Sequence, residues 1–274
     1  ALVFELMDMN IYELIRGRRH YVNEDRVKTY MYQLIKSMDH MHRNGIFHRD
    51  IKPENILIMD DQLKLADFGS CRGIYSKQPY TEYISTRWYR APELLLGNKH
   101  YDAAIDMWSV GCVMAELLAR KPLFQGKDYV EMLKLQIAYI GNPVRQEQQH
   151  ISEKAIKFLS DRSMFPAARR INWKELFPKS SDQALDMLDK LLQFSPDARL
   201  TAEQALAHPY MHELHDVDDE PAAPELFDFG FEKEKDVGVI RQLVVEESQL
   251  FTQPTSPTMV SGPIQAVLHE GSMT

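Results

Sequence analysis

Cysteine is scarce. Cys71 and Cys112 are the two in 274 residues, so no disulfide framework staples the chain and a reducing compartment, cytosol or nucleus, is expected. Long apolar runs are missing too: none approaches the roughly 20 residues of a membrane span. The opening ALVFELMDMN carries acids and no basic segment, unlike a secretory leader. Basic excess is absent, since the formal net charge is −8, and nothing global attracts nucleic acid or an anionic membrane. The basic cluster Arg16-Gly17-Arg18-Arg19 is too short to argue otherwise and reads as a solvated face. No internal repeat occurs. What is present is a hydrophobic content of 44%, ample for the core of one large domain.

Residues 23–44 predict an amphipathic helix. Asn23 is its N-cap, Glu24 and Asp25 lie in the first turn, and Val27, Tyr30, Met31, Leu34, Ile35, Met38 and Met41 recur at spacings of three and four. Gly45 stands where the chain leaves such a helix. The runs NILIM and QLKLA, separated by Asp60-Asp61, predict a β-hairpin. Residues 67–93 show no period and read as a long loop, a length that is usually functional or disordered. Residues 104–119 are apolar nearly all round and predict a buried central helix. Further helices are expected over 128–140, 152–160, 181–193 and 201–207, so the domain is mainly helical with a small hairpin. The opening ALVFELM reads as a strand. After Pro209 the chain turns acidic, DVGVIRQLVVEESQL is expected to form a short amphipathic helix, and the Ser/Thr/Pro-rich end is expected to be disordered.

Five ionisable side chains, His48, Arg49, Asp50, Lys52 and Glu54, interrupt the apolar runs of IFHRDIKPENILI. A solvated loop is the bland reading. Phosphoryl transfer offers a sharper one, because it needs a divalent metal, a carboxylate near the attacking hydroxyl and cations to balance charge. Asp50, Lys52 and Asn55 supply that inventory, with Asp67 at the far edge of the hairpin and Gly69 allowing the chain to reverse. Asn55 and Asp67 carry the oxygen ligands hard magnesium prefers. His40, His42 and His48 have no cysteine pair or second ligand cluster nearby, which makes a zinc site a poor alternative.

HRDIKPEN, DFG at Asp67–Gly69, APE at Ala91–Glu93 and DMWSVGC at Asp106–Cys112, in this order and spacing, resemble the lower lobe of protein kinases. The resemblance runs from residue 1 to about 215 and implies a protein-kinase-like α+β fold, mainly the helical lobe. It implies that ATP and Mg2+ are the cofactors. Asp50 would orient or deprotonate the substrate hydroxyl, Lys52 would steady the transferring phosphate, and Asn55 and Asp67 would hold magnesium. Met7 would meet adenine, Asn10 the ribose and Leu57 the underside of the base, with Phe4 at the gatekeeper place. Asp106 would brace the catalytic loop, and Glu93 would pair with Arg199. No Gly-rich loop, strand lysine or helix glutamate precedes Ala1, so the resemblance implies a lower lobe with most of the upper lobe absent and little activity of this chain alone.

The segment YTEYISTRWYRAPE contains Thr81-Glu82-Tyr83, which resembles the dual phosphorylation motif of MAP kinases, within the proline-directed (CMGC) group. Phosphates on Thr81 and Tyr83, added by an upstream dual-specificity kinase, would each bring about −1.5 to −2 charges toward Arg49, Arg87 and Arg90. Substrates would be proteins with Ser/Thr-Pro sites, in cytoplasm and nucleus. Residues 121–170 resemble the insert of that group. The N-terminal third is similar to MAPK/MAK/MRK-overlapping kinases and the remainder to conventional MAP kinases. Asp216, Asp219 and Glu220 resemble an acidic docking site for basic peptides, and charge complementarity suits peptide capture. An inactive docking module is the alternative function. The resemblance divides the chain into a hinge at 1–10, a lobe at 11–213, a docking strip with a tail helix at 214–248, and a tail at 249–274, where Ser256-Pro257 is a minimal proline-directed site.

Overall fold

The computed structural model describes residues 3–16, 21–73, 87–98, 101–220 and 225–250. The chain divides into two compact units, Ala1–Phe227 and Asp228–Thr274.

The first unit opens with a short strand β1 (Met9–Asn10) and a single-turn helix α1 (Ile11–Ile15). Asn10 is the N-cap: its side chain accepts the Glu13 N–H at 2.8 Å while Glu13 accepts the Asn10 N–H at 2.9 Å. This reciprocal pair satisfies two donors that a helix start leaves open. The long helix α2 (Glu24–Arg43) runs as its periodicity predicts, capped by Asn23 and released at Gly45, whose φ of +73° suits glycine. It leads through β2 (Ile46–Phe47) to the hairpin of β3 (Ile56–Met59) and β4 (Gln62–Leu65). Asp60 and Asp61 both take positive φ, 51° and 60°, the sign a two-residue turn needs to match the strand twist. The sheet order is β1-β3-β4, antiparallel throughout, and Asn10 stands opposite Leu57 in the register.

Residues 67–93 are not one irregular loop. β5 (Arg72–Gly73) pairs antiparallel with β2, which draws the chain after Asp67 back against the segment before His48. At the other end Arg87–Tyr89 forms a 3-10 turn that leads into α3 (Pro92–Leu95). Thr81 and Tyr83 lie outside the described residues. The opening segment also differs from expectation. Residues 3–7 form no strand and Phe4 is 81% exposed, because a strand needs a paired neighbour and here the Asp8 N–H to the Ile58 carbonyl is where backbone pairing begins.

α4 (Ala104–Ala119) is the buried spine, and α2 and α8 pack against it. Around it stand α5 (Tyr129–Ile140), α6 (Glu153–Leu159), α7 (Trp173–Leu176), α8 (Asp182–Leu191) and α9 (Ala202–Leu206). Asp128, Ser152, Ser181 and Thr201 cap four of these with side-chain oxygens, the residue types that compete best for free N–H groups. Trp108 stacks on Phe124 at 5.7 Å in the middle of the core.

In the second unit, α10 (Val237–Leu250) follows a 3-10 turn at Gly230–Lys233. None of its residues is buried, and Val244 is 65% exposed. No described helix is long and apolar enough to cross a membrane.

Candidate active site

Asp106, in the first turn of α4, organises the loop between β2 and β3 although it is more than fifty residues away in the chain. It is 1% exposed. Its Oδ2 accepts the His48 N–H and its Oδ1 the Arg49 N–H, both at 2.8 Å, and His42 Nε2 lies 2.9 Å from Oδ2. Burial by itself pushes this carboxyl up, but the hydrogen bond and electrostatic attraction of His42 and the hydrogen bond from the His48 amide outweigh it and hold the group below the usual carboxylate range. Arg49 sits at φ +69°, left-handed, a conformation costing a side chain about 1–2 kcal/mol. The grip of Asp106 on its N–H offsets that. Asp106 and the Glu93–Arg199 pair, at 2.9 and 3.2 Å, stand in the bracing positions the resemblance assigns.

The left-handed turn delivers Asp50 into the site with its two oxygens in different situations. Oδ2 meets Lys52 Nζ at 2.7 Å and Asn55 Nδ2 at 3.1 Å. Oδ1 is buried and has no hydrogen-bond partner. Asn55 also donates from Nδ2 to the Asp50 carbonyl at 2.9 Å, which fixes its amide with Oδ1 free of any donor among the described residues. The imidazole of His48 joins the loop to the next segment. Its Nδ1 accepts the Asp50 N–H at 3.2 Å, so Nε2 carries the hydrogen and donates to the Ala66 carbonyl at 3.0 Å. The Ala66 N–H in turn donates to the Asn55 carbonyl at 2.9 Å. Asp67 follows directly, exposed and at φ +63°.

Asn55 Oδ1 and the Asp67 carboxylate make an all-oxygen donor set that fits a hard divalent cation such as magnesium. Among the described residues no group of three or more His, Cys, Asp or Glu side chains could hold a metal alone. Leu57 lies half-buried on the face of β3 opposite Ile56 and Ile58, with Asn10 as its cross-strand neighbour, so these two are brought together. Asn10 Oδ1 is occupied as the helix cap. Met7 is half-buried just before β1. Phe68 lines an open groove of about 520 Å3 with Gln33, His40, Leu63, Leu65 and Glu220.

The three arginines do not form one cluster among the described contacts. Arg49 donates to the Ser70 carbonyl at 2.6 Å and to the Tyr101 hydroxyl at 3.0 Å. Arg87 and Arg90 flank Tyr129 instead, each with its guanidinium 5.7 Å from the ring centre. Arg87 also donates to the Lys127 carbonyl, and its Nε is buried without a partner. The acidic strip is likewise divided. Asp216 is exposed and caps the turn at Val217–Asp219, and Asp219 pairs with Lys36 of α2 at 2.6 Å. Glu220 is buried, its Oε1 meeting the Tyr32 hydroxyl at 3.0 Å and His215 Nδ1 at 2.9 Å. Glu220 therefore anchors the strip to α2 rather than facing outward.

Sequence reasoning weighed His42 only as a poor zinc ligand and passed over Tyr101, Tyr129 and the buried pair Glu116–Tyr89, joined at 2.8 Å. Burial pushes the Glu116 carboxyl up to about 7 and the nearby charge of Glu54 adds to it, while the Tyr89 hydroxyl pulls the other way. No spacing announces these partners, since each contact joins distant segments.

The loop braced by Asp106 thus holds Asp50, Lys52 and Asn55 together, with Asp67 just beyond the hairpin. The protein kinase domain model matches residues 1–211, and the chain belongs to the protein kinase family. It is similar to the MAPK/MAK/MRK overlapping kinase of Mus musculus, 52% identical over 213 residues, covering 77% of this chain and 49% of that protein. The Homo sapiens protein of the same name is 51% identical over 216 residues, covering 78% and 50%. Mitogen-activated protein kinase 5 of Arabidopsis thaliana is 42% identical over 253 residues, covering 91% and 66%. The chain thus spans about half the length of the mouse and human relatives it matches.

Proposed function

We propose that this chain carries the catalytic lobe of a MAP-kinase-type Ser/Thr kinase, which moves the γ-phosphoryl group of ATP to a Ser or Thr followed by Pro. The observation that carries the reading is the orphaned Oδ1 of Asp50. A buried charged acceptor with no donor is costly, and a substrate hydroxyl is the donor that fits it. The hydroxyl would give its proton to Oδ1 as its oxygen bonds to the γ-phosphorus and the bond to the ADP oxygen breaks. Lys52, already on Oδ2, would balance charge on the transferring group. Bound at Asn55 and Asp67, magnesium would neutralise charge between the phosphates.

Phosphates on Thr81 and Tyr83 would be received by Arg49 and by the Arg87–Arg90 pair, and the unpartnered Nε of Arg87 supports an anionic partner there. Basic peptides from activators and substrates would dock at Asp216 and Asp219, with Glu220 holding the strip in place. Cytosol and nucleus fit a chain with two free thiols.

Calorimetric titration of the full chain with Mg-ATP tests the nucleotide half of this reading: saturable heat should be lost in Asp67→Asn. Heat that survives the substitution, or none from a folded chain, refutes a nucleotide site built on Asp67. Transfer to a Ser-Pro peptide, absent for an Ala-Pro control, should fall about 10²–10⁴-fold in Asp50→Asn.

A further inference from the structure

Arg120 ends α4 in a left-handed conformation, φ +62° and ψ +23°. Its backbone N–H closes the helix on the Glu116 carbonyl at 2.6 Å. Its guanidinium carbon lies 5.8 Å from the ring centre of Tyr21, in the segment before α2. Lys179, from the loop before α8, places Nζ 4.8 Å from the centre of the same ring. Three stretches distant in sequence thus meet at one aromatic residue that is 56% exposed.

Neither cation has a carboxylate partner among the described residues. Of the acids near these residues in sequence, Glu24 accepts the Ser181 N–H at 2.9 Å and Asp182 pairs with Lys174 at 3.2 Å. The Nε of Arg120 is buried and has no hydrogen-bond partner among the described residues. An uncompensated guanidinium N–H and a second cation on one ring are unfavourable together, even with the attraction of the ring face for each. Such an arrangement in a chain of net charge −8 calls for an anion. The pattern repeats that at Tyr129, where two arginines share a ring and the Nε of Arg87 is likewise orphaned. The two places share no residue.

We propose that Tyr21, Arg120 and Lys179 form a second anion site, which receives the phosphate group of a phosphorylated peptide residue or of free inorganic phosphate. Arg120 brings a planar fork suited to two phosphate oxygens, and Lys179 brings a point charge on a flexible stem. Tyr21 offers an exposed wall against which a peptide can lie. Kinase substrates or partners already phosphorylated elsewhere would have this chemistry.

Calorimetry on the full chain with a phosphoserine peptide, its unphosphorylated twin and inorganic phosphate tests this. Every arm carries Arg87→Ala, so that the other orphaned guanidinium adds no signal. Arg120→Gly removes the fork at a position whose backbone glycine prefers, so the fold is retained. Lys179→Ala removes the other charge. Phosphate-dependent binding should weaken by about tenfold with either change, as for loss of one charge-assisted hydrogen bond, and should fall as salt rises. A phosphopeptide that binds more tightly than inorganic phosphate identifies a peptide as the source, and equal binding identifies the free anion. Phosphate-dependent binding that is the same with Arg120 and Lys179 present or removed, or no such binding to the parent chain, overturns the proposal.

Discussion

Replacing Asp106 by Asn changes one oxygen to an NH2 group and nothing in size. All three groups that meet this carboxylate are placed as donors: the N–H of His48, the N–H of Arg49 and Nε2 of His42. An amide can satisfy one side alone. If its nitrogen takes the Oδ2 position it faces both the His48 N–H and His42, and if it takes the Oδ1 position it faces the Arg49 N–H. The second arrangement loses less. It removes one charge-assisted hydrogen bond and strands a buried N–H, roughly 3–5 kcal/mol together by the usual range for such groups. The stranded N–H is that of Arg49, which needs the bond to stay left-handed, so the loss falls on the turn that aims Asp50. Urea unfolding followed by circular dichroism should give the full cost, and amide exchange at Arg49 should accelerate well before global unfolding does. A variant within about 1 kcal/mol of the parent, with Arg49 exchange unchanged, would refute the claim that Asp106 holds this loop.

Glu116 supplies a pH-dependent test. Its folded value of about 7 lies above the unfolded value near 4.5, so the folded state binds the proton more tightly and stability falls as pH rises from about 4.5 to 7. Glu116→Gln should therefore change little at pH 4.5 and stabilise by something on the order of 3 kcal/mol above pH 7, at about 1.4 kcal/mol per unit; a gain that does not vary with pH contradicts this. Tyr32→Phe should cost about 1–2 kcal/mol in urea midpoints because it strips a donor from buried Glu220, whereas Asp219→Asn should cost under about 1 kcal/mol, its pair with Lys36 being exposed. Equal effects would show that Glu220 is not the anchor. Gly111→Ala should lower the melting temperature although alanine favours helix, because the new methyl would lie 2.9 Å from Leu192 and 3.0 Å from Leu191.

The long helices were legible because period and cap coincided: Asn23 stands before the apolar stripe of α2 and Ser181 before that of α8. Helices of four or five residues, α9 excepted, were not, since one turn shows no period. α1, α3 and α7 went unseen for that reason, although Asn10 and Glu13 carry the spacing of a capping box. The strand reading of ALVFELM failed differently. β-propensity describes a fit to a pleated, half-buried surface, and Val3, Phe4 and Leu6 have no such surface beside them. In the acidic strip three carboxylates look alike on paper, yet Tyr32 and His215 turn one of them inward.

The site shows the same division at the level of single atoms. That Asp50, Lys52 and Asn55 meet was legible, because with Asp67 they concentrate one inventory in a short span. The unequal state of the two Asp50 oxygens was not, because it depends on one being used and the other left alone. Lys52 and Asn55 occupy Oδ2, and the left-handed turn at Arg49, held from α4, keeps Oδ1 buried and bare. Among the described residues the other orphaned charged atoms are the Nε of Arg87 and of Arg120, while Trp108, Gln136 and Tyr210 leave neutral atoms unpaired. A neutral orphan in a core is a small stability loss. A charged one at the edge of a core is an incomplete interaction, and a hydroxyl or a phosphate completes it with the same hydrogen bond whose absence now costs the fold.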